Sequence, residues 1–173
     1  MKIAVAAKMY NVLFVCTGNS ARSIMAEVIL NHLGRDRFQA YSAGSHPRGE
    51  VHPMTLEVLS SQGYDVCNVR SKRWTKFAEP LAPSMDFIFT VCDTVGGETC
   101  PVWPGQPITA HWSFANPAAM ATGKQLKAFT TVQFEIANRI RLFMSLPIAK
   151  IDRLSLQTKL RGLGQLRNEP PGG

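Results

Sequence analysis

The sequence has no apolar run approaching the ~20 residues that a membrane-spanning helix needs, so no membrane partner is expected. It has no internal repeat, no low-complexity tract and no composition break, which leaves room for one domain. Acidic residues are scarce: 12 Asp and Glu stand against 19 Lys and Arg, giving a formal charge of +7 and a pI near 9.5. The basic residues are scattered, and the densest cluster, Arg70 to Lys76, is interrupted. That distribution argues against nucleic acid and for the steering of small anions. Cysteine is limited to positions 16, 67, 92 and 100, and histidine to four positions. Their spacings are not those of a zinc site, so no metal and no bound cofactor are expected. Several thiols in a chain of cytoplasmic character point to nucleophilic or redox work rather than structural disulfides. The start, Met1 to Lys8, has an apolar part too short for a signal peptide. Residues 1–9 are expected to be an N-terminal extension, with the native start at Met1 or Met9 left open, 10–164 a single monomeric domain, and 165–173 a disordered tail.

What is present is enough for a core: 45% of the 173 residues are hydrophobic. The organising stretch is Val12-Leu13-Phe14-Val15-Cys16-Thr17-Gly18-Asn19-Ser20-Ala21-Arg22-Ser23. Four apolar residues end in a cysteine, a small polar turn follows, and an amphipathic segment opens. The pattern predicts a buried strand, a tight loop and the first turn of a helix. A helix over Ala21–Leu33 should be stopped by Gly34 in a left-handed cap. A strand follows over Phe38–Ser42, then helices over Pro53–Gln62 and Ser71–Phe77, with Trp74 and Phe77 as core contacts. Further strands are predicted over Met85–Val91 and Ile108–Trp112. Helices over Lys124–Leu146 and Asp152–Leu163 close the chain. Strands alternating with helices predict an α/β fold: a four-stranded parallel sheet with helices on both faces. Ligands in such sheets sit at the carboxyl ends of the strands, where Cys16, Cys92 and Asn116 all fall.

The loop after Cys16 has the chemistry of an anion cradle. Backbone N–H groups at a helix start can turn around an oxyanion, here those of Thr17, Gly18, Asn19, Ser20, Ala21 and Ser23. Gly18 should let the backbone curl, with Asn19 the next most tolerant of a left-handed turn. Arg22 adds a planar fork matched to two oxygens. The positive field favours a thiolate at Cys16, a nucleophile under a bound anion. A second informative stretch is Cys92-Asp93-Thr94-Val95-Gly96-Gly97-Glu98-Thr99-Cys100. Its adjacent glycines make rearrangement cheap, as two distant thiols would require in order to meet. From these residues alone, a phosphatase, a thiol reductase and a non-catalytic oxyanion or redox sensor all stay open.

Cys16-Thr17-Gly18-Asn19-Ser20-Ala21-Arg22-Ser23 resembles the phosphate-binding loop of the low-molecular-weight tyrosine phosphatase fold, which phosphatases share with one class of arsenate reductases. Tyr41-Ser42-Ala43-Gly44, Thr90-Val91-Cys92-Asp93, Cys100 to Gly105 and Ala110-His111-Trp112 are similar to the reductases of that fold. The resemblance implies arsenate as substrate, phosphate as a competing anion, Cys16 as nucleophile, and Cys92 and Cys100 as a disulfide relay. It also implies thioredoxin, or glutathione with glutaredoxin, as electron donor, with a tyrosine phosphatase as the alternative. Cys67 fits no part of the pattern and is expected to be a half-buried loop residue.

Two departures stand out. The family carries Asp-Pro after the fourth strand, where the carboxyl transfers a proton; this chain has Asn116-Pro117, and an amide cannot do so. Some members hold potassium behind the loop with an asparagine, a glutamate, a serine and an aspartate. Asn19, Glu27 and Ser42 match the first three, but Ser71-Lys72 stands near the fourth, where an ammonium could take the ion's place.

Overall fold

The computed structural model describes residues 8–91 and 103–166. Cys92 and Cys100, most of the expected extension and most of the expected tail lie outside the described residues. Strand β1 (Tyr10–Cys16) forms where Val12 to Val15 run without a polar interruption, and all four are buried. Burial on both faces is what a central parallel strand requires. It pairs with β2 (Phe38–Gly44) on one side and β3 (Phe87–Thr90) on the other, and β3 pairs with β4 (Ile108–His111). The order is β2-β1-β3-β4 with every pair parallel, the predicted four-stranded sheet. Cys16 lies opposite Gly44, Val15 opposite Thr90, and Thr90 opposite His111, so the carboxyl ends share one edge.

The connections from β1 to β2 and from β2 to β3 run in opposite directions across the sheet. The strand order therefore reverses at β1, and such a reversal opens a crevice at the carboxyl end of that strand. One face buries an aromatic layer: Phe143 has ring centroids 5.1 Å from Phe38, 5.3 Å from Phe87 and 5.2 Å from Phe89. Phe143 belongs to α3 (Gln125–Met144), the longest helix among the described residues. Trp74 and Phe77, in a 3₁₀ turn over Trp74–Ala78, are buried as expected, with Phe77 packed on Tyr41 at 5.6 Å.

The helices α1 (Arg22–Leu33), α2 (Pro53–Ser61) and α4 (Arg153–Gly164) fall within a residue of their predicted ends. Their caps explain the placement. Asp152 accepts from the Ser155 N–H at 2.9 Å and hydroxyl at 2.8 Å, fixing the start of α4. His52 Nδ1 accepts from the Met54 N–H at 3.1 Å at the start of α2, with Pro53 in the first helical position. Among the described residues no helix is long and apolar enough to cross a membrane.

One helix end differs from the sequence expectation. Gly34 caps α1 at φ −115°, not in the left-handed region. Its role is spatial: a Cβ there would lie 2.8 Å from Phe38 Cδ2 and 3.2 Å from the Leu30 carbonyl. The left-handed exit is found instead at Gly63, φ +85°, after α2. Replacing Gly34 by Ala should therefore cost about 1–3 kcal/mol in urea denaturation, the usual cost of overpacking. Gly162→Ala, where nothing lies within 4 Å, should leave stability unchanged or slightly raised.

Candidate active site

The loop between β1 and α1 is built on Asn19, fully buried and held at φ +44°. Asparagine tolerates this left-handed conformation better than other non-glycine residues. Its Nδ2 donates to Ser23 Oγ at 2.8 Å and Ser42 Oγ at 3.0 Å, and its Oδ1 accepts from the Lys72 N–H at 2.7 Å. One side chain thereby joins the loop to α1, β2 and the 71–72 segment. Gly18, expected to supply the conformational freedom, has no positive φ; the turn falls on Asn19. Gly44, at the end of β2, is the glycine that the loop requires. A Cβ there would lie 2.6 Å from the Thr17 carbonyl and 3.0 Å from the Asn19 nitrogen.

The loop's carbonyls are turned outward onto the connection between β2 and α2. Cys16 O accepts from Ser45 N at 3.2 Å, Thr17 O from His46 N at 2.9 Å, and Gly18 O from Arg48 N at 3.0 Å. Ser20 O accepts from His52 N at 3.0 Å and from Thr55 Oγ1 at 2.9 Å. In a trans peptide the following N–H points opposite to the carbonyl. The amides of Thr17, Gly18, Asn19 and Ala21 are thereby turned to the inner side. Successive inward amides at a helix start form an anion-binding concavity.

Cys16 lies at the base of a cleft that Thr17, Gly18, Ser20, Ala21, Arg22, His46, Arg48, Asn116 and Ala118 complete. The thiol-bearing residue is 4% exposed. No carboxylate lines the cleft among the described residues, while Arg22 and Arg48 both do. Arg22 Nη1 donates to the Phe114 carbonyl at 3.0 Å, which fixes the guanidinium while other donors of the fork remain. Asn116 Oδ1 accepts from the Ala118 N–H at 3.1 Å and caps a 3₁₀ turn over Pro117–Ala119. Asn116 thus has its side chain tied to the turn, and an amide can give hydrogen bonds to the cleft but has no titratable proton to transfer.

Of the residues singled out in the sequence, Cys16, Thr17, Gly18, Ser20, Ala21, Arg22 and Asn116 come together around one cleft. Asn19 and Ser23 sit buried behind it as supports. Cys67, expected half-buried, is exposed; its N–H bonds to Asp65 at 3.0 Å, and that carboxylate pushes the thiol pKa up. His46 and Arg48 were missed. They follow β2 on the same sheet edge as Cys16, and strand order alone would have nominated them.

Behind the loop, Lys72 Nζ lies 3.8 Å from Glu27 Oε1 and donates to the Arg70 carbonyl at 2.6 Å. Burial raises the Glu27 carboxyl above its ordinary range, partly offset by Lys72 and by hydrogen bonds from Ser42. Burial likewise lowers the Lys72 ammonium, with Glu27 opposing and Arg70 and Lys76 adding to the shift. The Asn19 oxygen is taken by an N–H, and an ammonium already faces Glu27. These residues do not fit a potassium ion.

The family described as low molecular weight phosphotyrosine protein phosphatase matches residues 11–153. An arsenate reductase of Shouchella clausii (strain KSM-K16) is 33% identical over 132 residues, covering 75% of this chain and 91% of the relative. A solved structure of an arsenate reductase in the phosphate-binding state superposes with TM-score 0.66 at 29% identity, covering 83% of this chain and all of that one. A thioredoxin-dependent arsenate reductase of Corynebacterium glutamicum gives TM-score 0.61 at 27% identity. That match covers 84% of this chain, which spans only 66% of the other protein's length.

The buried Glu27 sets a pH dependence. Its folded pKa lies above the ordinary 4.5, so between 4.5 and the raised value the folded state holds the proton more tightly than the unfolded state. The unfolding free energy should accordingly fall as pH rises through that window. Glu27→Gln should remove this decline in urea denaturation at a series of pH values; superimposable curves for the two proteins would contradict it.

Proposed function

Because the chain belongs to the low molecular weight phosphotyrosine protein phosphatase family, we propose that the Cys16 cleft is the active site of an arsenate reductase. The observation that carries this reading is a buried cysteine beneath an anion cradle that no carboxylate lines among the described residues, and whose neighbouring amide, Asn116, cannot act as an acid. Phosphate-ester cleavage expels an alkoxide or phenoxide, and a positioned acid contributes ~10²–10⁴-fold to such a step. Arsenate needs that acid less, because its own hydroxyl groups carry protons near neutral pH and its leaving group is water or hydroxide.

In the proposed cycle, the inward amides and the Arg22 fork bind arsenate, with phosphate as a competing anion. The Cys16 thiolate attacks arsenic(V) and displaces water or hydroxide, forming a sulfur–arsenic bond. The Cys92 thiolate attacks Cys16 Sγ; the Cys16–Cys92 disulfide forms, the electron pair of the broken bond stays on arsenic, and arsenite(III) leaves. The Cys100 thiolate then attacks Cys92 Sγ, restoring the Cys16 thiolate and moving the disulfide to Cys92–Cys100. An external dithiol reduces it. Thioredoxin is the donor supported by the name of the Corynebacterium relative; glutathione with glutaredoxin is the other candidate from the sequence.

Three substitutions test the sequence of thiols. Cys16→Ser should abolish turnover, since a hydroxyl is not ionised there. After arsenate exposure, mass spectrometry should find Cys92→Ser stalled as an arsenic adduct and Cys100→Ser stopped as a Cys16–Cys92 disulfide. A Cys16–Cys67 disulfide in the unmodified protein would overturn the assignment of the resolving thiol.

The amide at position 116 gives a second test. Asn116→Asp should raise para-nitrophenyl phosphate hydrolysis by a larger factor than it raises arsenate reduction. Equal gains would remove position 116 from proton transfer, and brisk hydrolysis by the unmodified protein would favour a tyrosine phosphatase.

A further inference from the structure

The family match ends at residue 153, where α4 begins, yet α4 grips the segment that carries Phe114 and Asn116. Trp112 Nε1 donates to the Leu160 carbonyl at 3.0 Å. Gly164 lies so close to β4 that a Cβ on it would overlap the His111 carbonyl. Just past the helix, the Leu166 carbonyl accepts from Arg139 Nη2 at 3.2 Å. Arg139, on α3, is only 3% exposed, and its guanidinium carbon sits 5.4 Å from the centroid of the Phe114 ring. Phe114 is itself 1% exposed, and its carbonyl is the acceptor that holds Arg22.

A buried arginine is costly unless its position is determined by several partners at once. Here Leu166 holds one end of the fork, Glu135 faces it from one turn earlier on α3, and the charge lies over the Phe114 ring. The Arg22 side chain has several rotatable bonds, and an anion site gains from having that freedom removed before the anion arrives. We propose that Arg139, anchored by the end of α4, is a positioning residue for Arg22, acting through Phe114. Helix α4 thereby becomes part of the support of the oxyanion site, as well as a cover for β4. This rests on the reading that Arg22 binds the oxyanion.

Inorganic phosphate binding to the reduced full-length protein, measured by titration calorimetry, tests it without requiring turnover. Arg139→Met should weaken phosphate by about tenfold, less than the ~10²-fold that a 1 Å misplacement by a remote mutation can cost. In an Arg22→Met background the same change should cost nothing further, because contacts that act through one another are not additive. Arg141→Met removes an exposed charge from the same helix and should change affinity by less than about twofold. If Arg139→Met does not fold, Phe114→Leu, which keeps the carbonyl and loses the aromatic face, should show the same dependence on Arg22. Wild-type affinity in folded Arg139→Met, an undiminished loss in the Arg22→Met background, or an equal loss in Arg141→Met would overturn the proposal. Wild-type affinity in Arg22→Met itself would instead overturn the oxyanion assignment on which it rests.

Discussion

The Asn19 side chain is the constraint on which the site depends. Its three hydrogen bonds reach the start of α1, the middle of β2 and the 71–72 segment, and they do so from a left-handed backbone. A buried amide that satisfies this many partners is costly to lose, because each abandoned group then stays desolvated. The same conformation turns the loop's carbonyls outward and its amides inward. The anion cradle is thus a consequence of how Asn19 is buried.

Around that hub the fold concentrates positive potential without a metal-ligand cluster among the described residues. The amides at a helix start, Arg22 and Arg48 converge at the carboxyl edge of a parallel sheet. Cys16 enters from the last position of β1, so its location is set by a strand whose last five residues are all buried. Lys72 extends the same logic to the rear of the loop, where a side-chain cation faces Glu27. An internal ammonium makes the support of the loop a property of the chain itself.

The sheet and the cradle were legible in the sequence because both are local. Val12 to Val15 read as a buried strand because the run is short and bounded by turn residues, and Gly18-Asn19-Ser20 as the turn before a helix. The errors came where tertiary contacts decide. Gly34 was read as a left-handed cap, whereas its absent Cβ makes space for Phe38 and Leu30. Gly18 was ranked ahead of Asn19 for the left-handed turn that Asn19 carries, because the Ser23, Ser42 and Lys72 partners that stabilise Asn19 are invisible as spacing. His46 and Arg48 carried no motif, and it is the fold that brings them to the cleft that Cys16 lines. The Arg139–Phe114–Arg22 chain joins three segments, and no motif announces it.

The central claim is that Cys16 reduces arsenate with help from a second thiol of the same chain, rather than hydrolysing a phosphate ester. Counting thiols tests it most directly. Fully reduced protein, incubated with arsenate under anaerobic conditions and without an external donor, should lose two of its four cysteine thiols and release one equivalent of arsenite. Retention of all four thiols under those conditions would contradict it.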